Sequence, residues 1–199
     1  MAAQPLQFPA ISKYPEAIPA GGGFTLKKML IDCGAVKFGK FTLTSGKESS
    51  YYIDIKKAST NPAILSEIAR EMAVLAKDSK YDRIAGMELG AVPVAVALSL
   101  EMKMPYVIIR KGERTHGTGK QIEGDFNSGD NFLVVEDVTT TGQSSMKTVE
   151  ILKNAGGKAG TVITVVDREE GAELLLTGAG IRLVSLVKAK ELMEMKDRL

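Results

Sequence analysis

Residues Leu133–Gly142 read LVVEDVTTTG: an apolar run, two adjacent acids, three hydroxyl side chains and a glycine. The unbroken run Phe132–Val135 is what a strand buried on both faces requires, which puts Glu136 and Asp137 where that strand ends. In open parallel sheets ligands gather beyond the carboxyl ends of strands. Gln143–Asn154 then reads as a helix closed by Gly156 and Gly157. A loop rich in hydroxyls and main-chain N–H groups at a helix N-terminus suits a phosphate monoester. Carboxylates would repel a bare phosphate, but they suit vicinal ribose hydroxyls, or a magnesium ion, on the same molecule. The ligand these residues describe is a ribose 5-phosphate. An ordinary capped turn would account for one threonine, and not for two acids with three hydroxyls.

A second polar segment lies between the strands ending at Ile109 and starting at Phe132. In its first part, residues 110–120, Arg110, Lys111, Arg114 and Lys120 stand against Glu113 alone, and the sole histidine, His116, sits among them. A long glycine-flanked loop in a compact domain is usually functional. Its cations could close over a polyanion and expel water from a reactive ribosyl donor; taken alone, a solvated basic loop fits as well. Two other phosphate motifs are excluded. Gly157-Lys158 is followed by Ala159, so no P-loop exists, and Gly117-Thr118-Gly119 lacks the third glycine of a dinucleotide fingerprint.

The segment Leu133–Ser145 resembles the phosphoribosyl pyrophosphate (PRPP) signature of the type I phosphoribosyltransferases. The basic loop is similar to the catalytic loop of the orotate branch of that family through Arg110, Lys111, Arg114, His116 and Gly117. Phe41–Lys56 is similar to its N-terminal hairpin, and Val166-Asp167-Arg168-Glu169 to the strand end that carries its orotate-binding arginine. The resemblance spans about Leu26–Leu199.

It implies transfer of ribose 5-phosphate from PRPP to orotate, giving orotidine 5-phosphate and pyrophosphate on the way to UMP. Glu136 and Asp137 would face the ribose hydroxyls, while Val138, Thr139, Thr140, Thr141, Gly142, Gln143 and Ser144 would hold the 5-phosphate. Arg110, Lys111, Arg114 and His116 would meet the pyrophosphate, with Lys111, Arg114, His116 and Asp137 as the catalytic set. Thr140 and Arg168 would contact orotate, a planar guanidinium being able to bind both carboxylate oxygens. Mg²⁺ is the implied cofactor, held mainly by substrate, with no direct side-chain ligation expected. A homodimer with shared active sites is implied because the family's loop reaches into its neighbour. A phosphoribosyltransferase for another base, or a nucleic-acid-binding regulator on the same fold, is the alternative.

Three positions depart from the family pattern. Thr44 stands where many members carry an orotate-contacting lysine. Arg114 replaces the loop lysine, keeping charge while losing a group able to transfer a proton. Met87-Glu88-Leu89-Gly90 lacks a pyrophosphate-contacting lysine, leaving its backbone to serve.

These residues need a scaffold, and from Arg83 onward the pattern supplies one. Arg83–Gly86, Tyr106–Ile109, Phe132–Val135, Thr161–Val166 and Ile181–Val187 read as strands, with helices at Val92–Met102 and Gln143–Asn154 and a short charged tail helix. Such alternation predicts an α/β fold with an open, mainly parallel sheet flanked by helices. Before it, Leu26–Cys33 predicts a helix, and Val36–Leu43 with Ser50–Ile55 a hairpin, together a small N-terminal hood. Asn61-Pro62 opens a helix whose buried stripe is Ile64, Leu65, Ile68, Met72 and Leu75. The expected organisation is a flexible extension over residues 1–23, then one domain over 24–199, with hood about 24–60 and core about 61–199. Cys33 is expected to be an inert buried thiol, and the Tyr51-Tyr52 pair half core and half surface.

Composition limits the alternatives. A chain of 199 residues with 44% hydrophobic and 25% charged residues is an average globular protein. A net charge of +2 does not suggest a dedicated nucleic-acid binder. One cysteine excludes an internal disulfide and suits a reducing cytoplasm. No stretch is apolar for long enough to predict a membrane span.

Overall fold

The alternation of apolar residues along the central strand places one hydrophobic cluster on each side of a sheet. In the computed structural model, which describes residues 25–42, 48–112 and 121–196, Leu133 and Val135 pack into one cluster and Phe132 and Val134 into the other. Thr44, Arg114, His116 and the N-terminal extension lie outside the described residues.

The hood begins with α1 (Leu26–Asp32), followed by the antiparallel hairpin β1 (Val36–Thr42) and β2 (Glu48–Ile53). A five-residue helix that the sequence pattern does not predict, α2 (Ile55–Ser59), comes next; Asp54 caps it by accepting from the Lys57 N–H. It takes Ile55 out of the predicted strand. Then comes α3 (Pro62–Ala76), with Asn61 Oδ1 accepting from the Ala63 and Ile64 N–H groups and Pro62 at the first position, as predicted. Its stripe continues at Ala76, which is buried, whereas the expected Leu75 is 42% exposed.

The sheet follows as β3 (Arg83–Met87), α4 (Ala91–Met102), β4 (Tyr106–Ile109), β5 (Ile122–Glu123), β6 (Asn131–Thr139), α5 (Gln143–Asn154), β7 (Lys158–Asp167), α6 (Ala172–Gly178), β8 (Arg182–Lys188) and α7 (Ala189–Lys196). Its order is β5-β4-β3-β6-β7-β8, parallel except for the short edge strand β5. Chain order reverses between β3 and β6, so the carboxyl ends of those two strands flank a topological switch point. α5 and α6 contribute to the cluster on one face, and α3 and α4, with the hood, to the other. The hood therefore shares a core with the sheet: Leu30, Val36, Ile53 and Ile55 join Ile68, Met72, Ile84 and Leu133.

One boundary needs correction. β6 runs four residues past its apolar stretch, because Glu136, Val138 and Thr139 pair with Thr164, Val166 and Asp167 of β7. The two acids therefore lie within the strand and not beyond it. Cys33 is only partly buried, its thiol donating to the Leu30 carbonyl at 3.4 Å. Among the described residues no helix is long and apolar enough to cross a membrane.

Candidate active site

Because Glu136 and Asp137 are consecutive in a strand, their side chains leave on opposite faces. Glu136 points toward α5, is 5% exposed and accepts from the Ser145 hydroxyl at 3.3 Å. Burial pushes its carboxyl up to about 8, and the negative neighbour Asp137 adds to the shift. Asp137 points the other way, toward Gly90 at the start of α4 and Lys56 in α2, whose Nζ lies 3.9 Å from Oδ2. Although they leave on opposite faces, the Asp137 carboxyl stays within hydrogen-bonding reach of that of Glu136, and Glu136 alone of the two lines the hydroxyl-rich cleft.

The hydroxyl segment forms the floor. Glu136 and residues Val138–Ser145 enclose a cleft of about 210 Å³, several times the roughly 30 Å³ that one water occupies in the liquid. Gly142 precedes α5 with φ +83° and has no side chain to cap it, so among the described residues the first N–H groups of the helix have no side-chain cap. Thr139 Oγ1 is buried and, among the described residues, has no hydrogen-bond partner. A buried unpaired hydroxyl beside uncapped N–H groups calls for a missing acceptor. Val138, Thr140, Thr141, Gln143 and Ser144 line the same cleft, as expected.

The β3–α4 loop, although it lacks the lysine of the family pattern, is closely involved. A Cβ built on Gly90 would lie 2.0 Å from Asp137 Oδ2, so only glycine leaves this carboxylate in place. Glu88 accepts from the Lys111 N–H at 2.9 Å, and Lys147 Nζ donates to the Lys111 carbonyl at 3.0 Å. The root of the basic loop is therefore fastened to the switch point and to α5. Arg110 is turned away, paired with Glu123 of β5 at 3.0 Å. Arg114 and His116 lie outside the described residues.

Arg168, at the end of β7, is drawn to the site by its own N–H, which donates to the Thr139 carbonyl at 2.9 Å. Its guanidinium sits 5.1 Å from the centre of the Tyr51 ring, so the hood and the sheet meet at this arginine. Tyr52, by contrast, is 42% exposed. Sequence reasoning singled out the Met87–Gly90 loop for its backbone alone, and missed Lys56, Lys147, the Glu88 side chain and the fit of Gly90 against Asp137. Only the position of Gly90 at the end of a strand carried a signal, that of a close backbone approach.

Comparison with known proteins settles the family. Residues 55–179 match the model of the phosphoribosyl transferase domain. The orotate phosphoribosyltransferase of Pyrococcus furiosus is 51% identical over 171 residues, covering 85% of this chain and 94% of the relative. The chain belongs to the orotate phosphoribosyltransferase family. The crystal structure of the Aeropyrum pernix orotate phosphoribosyltransferase superposes with a TM-score of 0.80 at 35% identity, covering 88% of this chain and 99% of that one. A second member, from Mycobacterium tuberculosis, was solved in complex with PRPP; it is 33% identical, with a TM-score of 0.70 over 84% of this chain and 96% of its own. The sheet that carries the strand reversal thus belongs to a fold this chain shares with solved orotate phosphoribosyltransferases.

Proposed function

We propose that the switch-point crevice of this orotate phosphoribosyltransferase grips PRPP at both ends while Arg168 receives orotate. The reaction joins orotate to the ribose 5-phosphate of PRPP and releases pyrophosphate. The observation that carries the assignment of roles is the unsatisfied pair on the cleft floor: Thr139 Oγ1 and the uncapped start of α5. A phosphate monoester supplies acceptors to both at once, and the helix dipole favours its charge.

Asp137 sits at the crevice wall, loosely paired with Lys56, and is the acid placed to accept from the ribose hydroxyls. Glu136 lines the same cleft, and the burial that raises its carboxyl above the ordinary range weakens its repulsion toward the incoming phosphate. Thr140, which lines the same cleft, is assigned a contact with orotate as well as with the phosphate. The Asp137 carboxylate, with acceptor capacity beyond its 3.9 Å contact, fits a site where Mg²⁺ is carried mainly by the diphosphate. The ion when bound would neutralise charge on the leaving oxygens. Breaking the C1–O bond builds positive charge on the ribose and negative charge on pyrophosphate, so cations aimed at the leaving group lower the barrier. Lys111, Arg114 and His116 are assigned that task, with Arg110 joining once it leaves Glu123. The ring nitrogen of orotate is already nucleophilic as an anion, so no strong general base is required.

The loop is assigned to the neighbouring subunit's site in a homodimer, on the similarity of its residues to the family's catalytic loop. Residues 1–23 are taken as an extension to a single domain made of hood and core, and the enzyme as cytoplasmic. The direct test is the fall in orotate's near-ultraviolet absorbance: a fall only when both PRPP and Mg²⁺ are present is expected, and no fall with all components present would refute the assignment.

A further inference from the structure

The Arg168 guanidinium is nearly enclosed, its side chain 10% exposed, and its nitrogens are unevenly satisfied. Nη2 meets Oε1 of Glu170 at 2.9 Å, while Nε is buried with no hydrogen-bond partner among the described residues. The Tyr51 ring faces the guanidinium. A carboxylate that binds an arginine with both oxygens takes two neighbouring N–H donors of the planar fork. Along the Nε–Nη2 edge one donor is vacant and the other already holds a carboxylate.

On the reading that Arg168 receives orotate, we infer that Glu170 is an internal stand-in for the substrate's carboxylate, holding Nη2 in the empty enzyme and yielding it when orotate binds. Its place in the chain suits this role. Glu170 lies in the connection between β7 and α6, and its side chain is 32% exposed, so it can swing into solvent without opening the core. Until then it keeps a desolvated cation partnered. It also selects: a base without a carboxylate cannot replace the ion pair it would have to break, whereas orotate exchanges one carboxylate for another. Apparent affinity for orotate is then reduced by the fraction of enzyme in which Glu170 occupies the edge.

Steady-state kinetics of Glu170→Gln, Glu170→Asp and Arg168→Gln, with uracil as a competing ligand, test the inference. Removing the competing charge in Glu170→Gln should lower the KM for orotate roughly threefold to tenfold, as a partly exposed ion pair implies. The change should fall on KM rather than kcat, and the inhibition constant of uracil should not move. Glu170→Asp keeps the charge but shortens the arm, and should fall between wild type and Glu170→Gln. A raised KM in Glu170→Gln would mean that Glu170 supports Arg168 and does not compete for it, and an unchanged KM would equally overturn the inference. A Glu170→Asp enzyme identical to wild type would reduce the effect to general charge repulsion and overturn it too. Arg168→Gln separates the two levels. If it leaves the orotate KM unchanged, the underlying assignment fails; if it raises that KM while Glu170→Gln does not lower it, only the role of Glu170 fails.

Discussion

Substituting Gly90 by alanine should disable the site without unfolding the protein. The added Cβ would lie 2.0 Å from Asp137 Oδ2 and 2.4 Å from Cγ. Non-bonded carbon and oxygen settle at about 3.3 Å, so the carboxylate must retreat by at least about 1.3 Å. A displacement of about 1 Å of a positioning group costs about 100-fold in rate, equivalent to about 2.7 kcal/mol of barrier. The backbone itself accepts alanine, since Gly90 is right-handed helical at φ −66° and ψ −36°. Alanine there restricts the unfolded chain and contributes about 0.4–1 kcal/mol of stability. Breaking the ion pair between Asp137 and Lys56 costs little, because that lysine is 61% exposed and 3.9 Å away. Initial rates at varied PRPP should therefore show kcat/KM for PRPP reduced about 100-fold, with a melting temperature within about 3 °C of wild type. A double-mutant cycle supplies the control: in an Asp137→Ala background, Gly90→Ala should cost almost nothing further. Wild-type kinetics for Gly90→Ala, or full additivity in the cycle, would refute the reasoning.

Other consequences follow from the same geometry. Glu136 is held above its ordinary value, so the native state keeps a proton that the unfolded chain gives up; its unfavourable effect on stability is absent below about pH 4.5 and grows as pH rises toward about 8. Denaturant titrations should accordingly find Glu136→Gln more stable than wild type at alkaline pH, and the difference should shrink on acidification; a pH-independent difference would contradict this. If the loop acts in the neighbouring subunit, mixing inactive Lys111→Ala and Asp137→Ala dimers should restore activity on subunit exchange, since a hybrid owns one intact site. Verified exchange without recovery would place the loop in its own subunit's site. Asn61→Ala removes the cap of α3 and should cost about 1 kcal/mol, seen as a melting temperature about 2–4 °C lower.

What the sequence makes legible is whatever depends on local periodicity. The limits of α5 follow from its polar start and the glycine pair beyond it, and Asn61-Pro62 marks the start of α3. Features set by tertiary partners are hidden. Nothing in Glu136-Asp137-Val138-Thr139 announces a strand; the ladder to β7 makes it one, and with it sends the two acids out from opposite faces. Hydrophobicity favours Leu75 over Ala76, although steps of four from Ile64 through Ile68 and Met72 lead to Ala76. The helix α2 is only five residues long, too short for a periodic signal to stand out. The fit of Gly90 against Asp137, and the tethering of Lys111 by Glu88 and Lys147, join residues 47, 23 and 36 positions apart and emerge only once β3 lies between β4 and β6.

A crystal structure with PRPP and Mg²⁺ bound tests the central claim most directly. The 5-phosphate should rest on the first N–H groups of α5 and on Thr139 Oγ1, with the ribose hydroxyls donating to Asp137. A donor bound elsewhere, with Thr139 Oγ1 still unpaired and Asp137 still turned toward Lys56, would contradict the account.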